Sequence, residues 1–463
     1  MTARRFQYVA FALLTAVSLS GQAGSDLERR VALLEEQMRL IDPAFGRNSP
    51  AADPMRRLEA LEEKMAVLLA TRRIAEVSPS TQTTAVNNAE PTAIKSPETP
   101  GLKSVAVSGN YEASPDHETR LPVSGYMDFH FNKESGDSFR PDLHRFVLLF
   151  GHSFSDRIKF WSELEVEHAL VEGGEPTGEV AVEQAYLDFL VKPYFNLRAG
   201  MLLTPIGIVN ERHEPPAFNG VERPFVETLI IPTTWRELGF GATGDLGRGF
   251  RYRAYLTSSL DASRFDAETG IAEGRTAGFD SSFRNPAKAA RLEFAGVRRL
   301  TLGTSIYSGH SGFNTPGINP GVTISEFDGR YRFGRFDFRG LFANTWVSQA
   351  GELNRRLQLL TGRNPNIASE MRGYYLEPAL HVLPQRGRND LILFGRYESY
   401  NTQQRMPYGY VPLPQFDRSS WIAGATYKPL ADVAVKFDYV FNRNASSVVR
   451  AVNGINLGIG WWF

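Results

Sequence analysis

Cysteine is missing from all 463 residues. Its absence removes disulfides, thiolate metal sites and cysteine nucleophiles, and it suits an oxidising compartment. Net charge is also missing: 51 Lys and Arg balance 51 Asp and Glu, so no global field attracts nucleic acid. Beyond the first two dozen residues there is no apolar run of transmembrane-helix length. A chain without such a helix crosses a bilayer only as a closed β-barrel.

Enzyme signatures are lacking as well. Gly239-Phe240-Gly241-Ala242-Thr243-Gly244 has the spacing of a dinucleotide loop, but no helical pattern follows it, and it reads as a glycine-bearing strand. His213-Glu214 has no second histidine, and Pro215-Pro216 forbid the helix that a zinc motif needs. Gly309-His310-Ser311-Gly312 is one residue short of a nucleophile elbow. Glu163 and Glu165 lie two apart on one strand face, paired carboxylates without a supporting cleft. Catalysis, a cofactor and a metal ion are not expected.

What is present falls into four zones. Residues 1–23 read as a cleaved signal peptide: Arg4 and Arg5, then an apolar stretch from Val9 to Leu19, then Gly21-Gln22-Ala23. Residues 24–76 are helical in pattern. Ser25 and Glu28 form a capping box, and Leu27, Val31, Leu34, Met38 and Ile41 keep heptad spacing. After Pro43, Asp53-Pro54 restart a helix bearing Leu58, Leu61, Met65 and Leu68 in a different register. Each helix is too short to stand alone in water, so the stripes either self-associate as a coiled coil or fold back as a hairpin. Residues 77–120 turn to Ser, Thr, Pro, Asn and Ala, the composition of a linker.

From residue 121 to 463 the period is two. Met127, Phe129 and Phe131 alternate with Asp128, His130 and Asn132; Val435, Phe437 and Tyr439 alternate with Lys436 and Asp438. Short turns are expected at 154–156, 192–193, 247–249, 296–298, 334–335, 384–388 and 429–430. Long polar loops are expected at 133–142, 172–178, 206–231, 261–286, 309–321, 348–370, 402–415 and 444–450. Alternating turns and long loops mark a transmembrane antiparallel β-barrel of about sixteen strands, all-β, preceded by the helical segment. A barrel of that size leaves an aqueous lumen.

Parity places Arg251, Arg253, Arg330, Arg332 and Arg339 toward the lumen, along with Glu163, Glu165 and Glu167 on another strand. These charges either set a field across the channel or pair with one another and stiffen the wall. The loop 206–231 carries Glu211, Arg212, His213, Glu214, Glu222 and Arg223, stiffened by Pro215-Pro216 and Pro224. Turned inward, that set forms a charged pore constriction; turned outward, it is a solvated loop.

Gln184-Ala185-Tyr186-Leu187-Asp188, Leu197-Arg198-Ala199-Gly200, Thr204-Pro205-Ile206-Gly207 and Trp235-Arg236-Glu237-Leu238-Gly239 together resemble the phosphate-selective porin O and P family. The resemblance spans the barrel zone and is strongest over residues 146–246. It implies a homotrimeric outer-membrane porin of sixteen strands whose third external loop narrows the pore, and 206–231 is the third long loop here. The arginine ladder of that family cannot be mapped onto this chain, whose barrel zone holds few lysines and nearly balanced charge. The last strand, ending in Trp461-Trp462-Phe463, looks like the signal read by the barrel-assembly machinery, with Trp461 and Phe463 as its key residues. The expectation is passive diffusion of small hydrophilic solutes, among them anions such as phosphate, through an outer membrane of lipid and lipopolysaccharide. The alternative is a structural anchor whose N-terminal helices bind peptidoglycan.

Overall fold

The computed structural model describes residues 123–168, 179–278, 281–383 and 388–463. The expected signal peptide, helical segment and linker lie outside the described residues, as do the loop 172–178 and most of the turn 384–388.

Sixteen strands form one closed antiparallel barrel, each hydrogen-bonded to its neighbours in sequence. The first eight are β1 (Val123–Glu134), β2 (Arg140–Ser153), β3 (Ile158–Glu167), β4 (Glu179–Lys192), β5 (Phe195–Leu203), β6 (Arg236–Gly247), β7 (Phe250–Thr257) and β8 (Ala287–Phe294). The second eight are β9 (Leu300–His310), β10 (Gly321–Phe333), β11 (Phe336–Val347), β12 (Glu370–His381), β13 (Asp390–Arg405), β14 (Asp417–Leu430), β15 (Val433–Asn444) and β16 (Gly454–Trp462). β16 closes on β1, with Tyr126 opposite Trp462 and Glu134 opposite Gly454. The even number sends both ends of the barrel to the rim that bears the tight turns.

The polarity of this barrel is inverted. Along β12, Tyr374 and Leu376 are exposed while Met371, Tyr375 and Glu377 are buried; along β15, Val435, Phe437 and Tyr439 are exposed while Lys436 and Asp438 are buried. Outward aromatics run from rim to rim, with Phe327 opposite Phe342 at mid-strand. Phe250 meets Phe294 and Phe336 meets Phe338 near the turns, while Tyr397 packs on Trp421 toward the loops. Aliphatic side chains such as Ile306, Leu376 and Leu393 share this outer face. A continuous apolar, aromatic-rich outer face suits hydrocarbon, where a water-exposed sheet would show the opposite faces.

Several boundaries differ from the sequence expectation. β1 and β2 run further than predicted and shorten the loop expected at 133–142; β13 likewise runs on to Arg405. Pro429-Leu430 end β14, and the turn falls at 431–432, because a register irregularity after Tyr427 absorbs the proline. The loop expected at 348–370 contains a helix, α1 (Ala350–Thr361), which buries Leu353 and Leu357 and ends on Gly362 in the left-handed conformation. The Gly239–Gly244 glycines lie on strand β6.

The exterior predicts an asymmetric response to charge. Leu376→Arg, at mid-strand on the outer face, should cost about 2–4 kcal/mol of folding free energy in vesicles. Leu359→Arg, on the exposed side of α1, should stay within about 0.5 kcal/mol. Urea titrations of the two variants refolded into lipid vesicles check this; equal costs would refute the hydrocarbon-facing assignment.

Candidate channel constriction

The chain between β5 and β6 enters the barrel. Its neck is closed by Asn210, whose Nδ2 donates to the carbonyls of Thr204 (2.7 Å) and Trp235 (3.1 Å) and whose Oδ1 accepts from the Trp235 N–H (2.7 Å). Glu227 then staples the loop: its Oε2 accepts from the N–H groups of Ile208 and Val209, both at 2.7 Å, and its Oε1 from the Tyr375 hydroxyl of β12 at 2.7 Å. The approach needs Gly207, with φ +80°, since a Cβ there would sit 2.6 Å from Glu227 Oε2.

Further along, backbone and side-chain donors of the loop meet carboxylates of the wall. Asn219 Nδ2 donates to Glu377 (3.0 Å), the Val221 N–H to Asp438 (2.6 Å) and the Val226 N–H to Glu398 (3.1 Å). Wall cations hold loop carbonyls in turn, Lys428 on Pro216 at 2.7 Å and Arg339 on Ala217 at 3.4 Å. On β16 the inward positions Gly458 and Gly460 leave room for Val221 and Pro215. The loop thus lies inside the barrel, tied to β11 through β15 and seated against β16.

Toward β8–β11 the contact is apolar. Val226, Ile230, Ile231 and Trp235 pack in one buried cluster with the inward residues Ala289, Tyr307, Ile324 and Leu341. Leu260, Phe265 and Ile271 of the fourth loop, and Leu353 and Leu357 of α1, join it. An aqueous lumen was expected. On this side it is dry because three loops cover it, so an aqueous path has to follow the charged part of the wall.

Most of the charged loop residues anticipated from sequence find partners. Glu211 pairs with Arg253 of β7 at 3.2 Å. His213 lies between Glu183 (3.0 Å) and Glu163 (3.7 Å), and Glu163 also accepts from Tyr126 and Gln184. Glu222 accepts from Asn132 at 2.9 Å and pairs with His130 at 3.0 Å. Arg223 donates to the hydroxyls of Thr233 and Thr234. Glu214 is buried where a short helical turn begins, and Arg212 stays partly exposed. On the wall, Glu165 is buried and Glu167 partly exposed, both with the inward parity of Glu163. Arg339 reaches the loop, whereas Arg330 and Arg332 share Asp337 and Arg251 faces Asp245 near the turn rim, apart from the loop.

Sequence reasoning missed Glu183, Glu377, Glu398 and Asp438, which hold the loop. Glu183 is hidden by a bulge: Glu163 pairs with Gln184 but Leu164 with Val182, so Glu183 is the extra residue and turns inward beside Gln184. The consecutive polar pair Glu183-Gln184 inside an alternating strand was the available signal.

Two outcomes follow from these anchors. Glu227→Ala leaves three donors without their acceptor, each costing about 1–3 kcal/mol. Limited proteolysis should then cut within 206–231 while the barrel persists; continued protection would refute the staple. For His213, burial by itself lowers the imidazole, but Glu183 and Glu163 outweigh it and hold it up at about 10. A raised histidine stabilises the folded loop fully below its unfolded value of about 6.5 and loses that contribution as pH rises through the folded value. Protection of the loop should therefore be greatest below about pH 6.5, decline above it and reach its floor beyond about pH 10, whereas protection independent of pH across that window would contradict the ion pair.

No protein-family model matches the chain. Among solved structures, OmpF of Salmonella typhi in complex with daunomycin superposes with a TM-score of 0.52 at 11% identity, covering 74% of this chain and 97% of that one. An anion-selective porin from Comamonas acidovorans has a TM-score of 0.47 at 13% identity, covering 74% and 98%. The OmpF likeness is one of fold, a porin-type barrel. An uncharacterized protein of Aquifex aeolicus is 38% identical over 331 residues, which are 69% of this chain and 75% of that protein. By that identity over that length, the chain belongs to the same family as the Aquifex aeolicus protein.

Proposed function

We propose that the chain is an outer-membrane porin, a water-filled channel for passive diffusion of small hydrophilic solutes. The observation that carries this reading is the inverted barrel with a loop tied across its lumen. An apolar exterior puts the protein in hydrocarbon, and a lumen narrowed by a tethered loop limits solute size without closing the barrel's polar wall. Glu211, Arg212, Glu222 and Arg223, the partly exposed charges of the loop, set the potential at this constriction, since rings and rows of lining charge select permeants in pores, while His213 and Glu214 are buried and anchor the loop. Wall pairs such as Arg253–Glu211 leave both signs close together, which favours polar over apolar solutes.

Finer assignments follow from the resemblance to the phosphate-selective porins. Anions such as phosphate are the solutes it favours, and Arg330, Arg332, Arg339 and Lys428, on β10, β11 and β14, supply a basic stretch of wall toward the turn rim. The same resemblance suggests a homotrimer, delivered as an exported precursor and inserted by the barrel-assembly machinery through Trp461 and Phe463. The heptad segment 24–76 adds a periplasmic attachment to peptidoglycan that works beside the pore.

Planar-bilayer recording of the purified protein tests the channel. Stepwise conductance is expected, with the reversal potential in a salt gradient reporting ion preference, and a barrel that never conducts sinks the proposal. Excising residues 211–227 should raise the unit conductance, while removing 24–76 should leave it unchanged. Unchanged conductance without the loop would place the constriction elsewhere.

A further inference from the structure

At the loop rim of β1–β3, three of the eight histidines of the chain come together with an aspartate that the channel reading does not use. We propose that Asp142, His144 and His168 form a binding site for a divalent transition-metal cation of the zinc type. His144 Nδ1 stands 3.3 Å from Asp142 Oδ2, and His168 Nδ1 stands 2.9 Å from the same oxygen. One ligand atom from each residue falls within 4.8 Å of the others. Zinc bonds of about 2.0–2.1 Å to nitrogen and oxygen place tetrahedral ligands about 3.3 Å apart, so a small adjustment seats an ion among these three atoms and leaves a fourth position for water.

The backbone is arranged for this meeting. The register shift between Asp128 and His130 gives β2 an extra residue, and His144 thereby faces the same side as Arg145. His144 stacks on His130 with ring centroids 4.3 Å apart, which fixes its plane. His168 takes φ +48°, in the left-handed region that a non-glycine residue seldom adopts, and its N–H donates to the His144 carbonyl at 3.0 Å. That conformation brings the imidazole back over β2.

Accessibility separates this cluster from the other one of similar composition. Glu163, Glu183 and His213 are fully buried, and Tyr126, Gln184 and the Asn210 carbonyl already take up their bonding directions. Asp142 and the His168 side chain are open to solvent, at 33% and 47%, so a hydrated cation can reach them. Two imidazoles and one carboxylate select zinc, copper or nickel over magnesium and calcium, which prefer oxygen alone.

Calorimetric titration of the purified full-length protein with zinc chloride tests the site. Saturable binding of one ion per barrel is expected, weakening as pH falls and protons compete for the imidazoles. His144→Ala and His168→Ala should each lower the affinity by tenfold or more, and His152→Ala, on the opposite rim, should leave it unchanged. Calcium chloride at the same concentration should give no saturable heat. Because His168 lies outside the strands, its variant keeps the barrel, which circular dichroism verifies. Absence of saturable zinc binding, or affinity unaltered in the His144→Ala/His168→Ala double variant, overturns the proposal.

Discussion

Inside hydrocarbon no water can satisfy an unpaired amide, and each one left open costs several kcal/mol. The pairing of β1 with β16 answers that constraint, down to the reciprocal bonds between Gly125 and Phe463 at 3.0 and 2.9 Å. Once the last strand meets the first, no edge remains, and every strand has one face toward lipid and one toward the lumen. Both ends of the barrel then lie at the turn rim, which leaves the long loops together at the other. A loop long enough to fold back has only the lumen to enter, and the loop following β5 does so.

Closure also concentrates charge. Arg291 reaches Asp328 at 2.7 Å and Glu326 at 3.3 Å, and Arg396 reaches Glu398 at 2.8 Å and Glu377 at 3.2 Å. Such buried pairs are weak evidence for net stability, because desolvation offsets their attraction. Their structural value lies in orientation. Glu377 and Glu398 face Arg396 and at the same time accept from Asn219 and the Val226 N–H of the loop. The wall network and the loop tether therefore share carboxylates, so disturbing one disturbs the other. Of the two roles open to the lumen charges, mutual pairing is the one realised by Arg253 with Glu211 and by Arg330 with Asp337.

Bulges give this barrel its special positions. In a strict alternation Glu183 and His144 would face outward, in phase with Ala185 and Phe146. One extra residue in β4 and one in β2 turn them inward, beside His213 and His130 respectively. Each bulge thus re-aims a charged or metal-binding side chain at a modest cost in ladder pairing, and the rest of the strand keeps its register.

The barrel, its strand number and the two faces of each strand were legible in the sequence, because period two and turn residues are local properties of consecutive positions. The position of 206–231 as the third long loop was legible for the same reason, and so were its charged residues. Its partners were not. Asn219 meets Glu377 and Val221 meets Asp438 across separations of 158 and 217 residues, distances along the chain that only ring closure makes short. The dry side of the lumen was hidden because inward Ala289, Ile324 and Leu341 read as ordinary strand residues until three loops covered them. Helix α1 was missed within a polar loop, since only burial of Leu353 and Leu357 against that same cluster stabilises it. Local periodicity determines the wall of this protein; what fills the wall is decided by contacts that exist only once the barrel has closed.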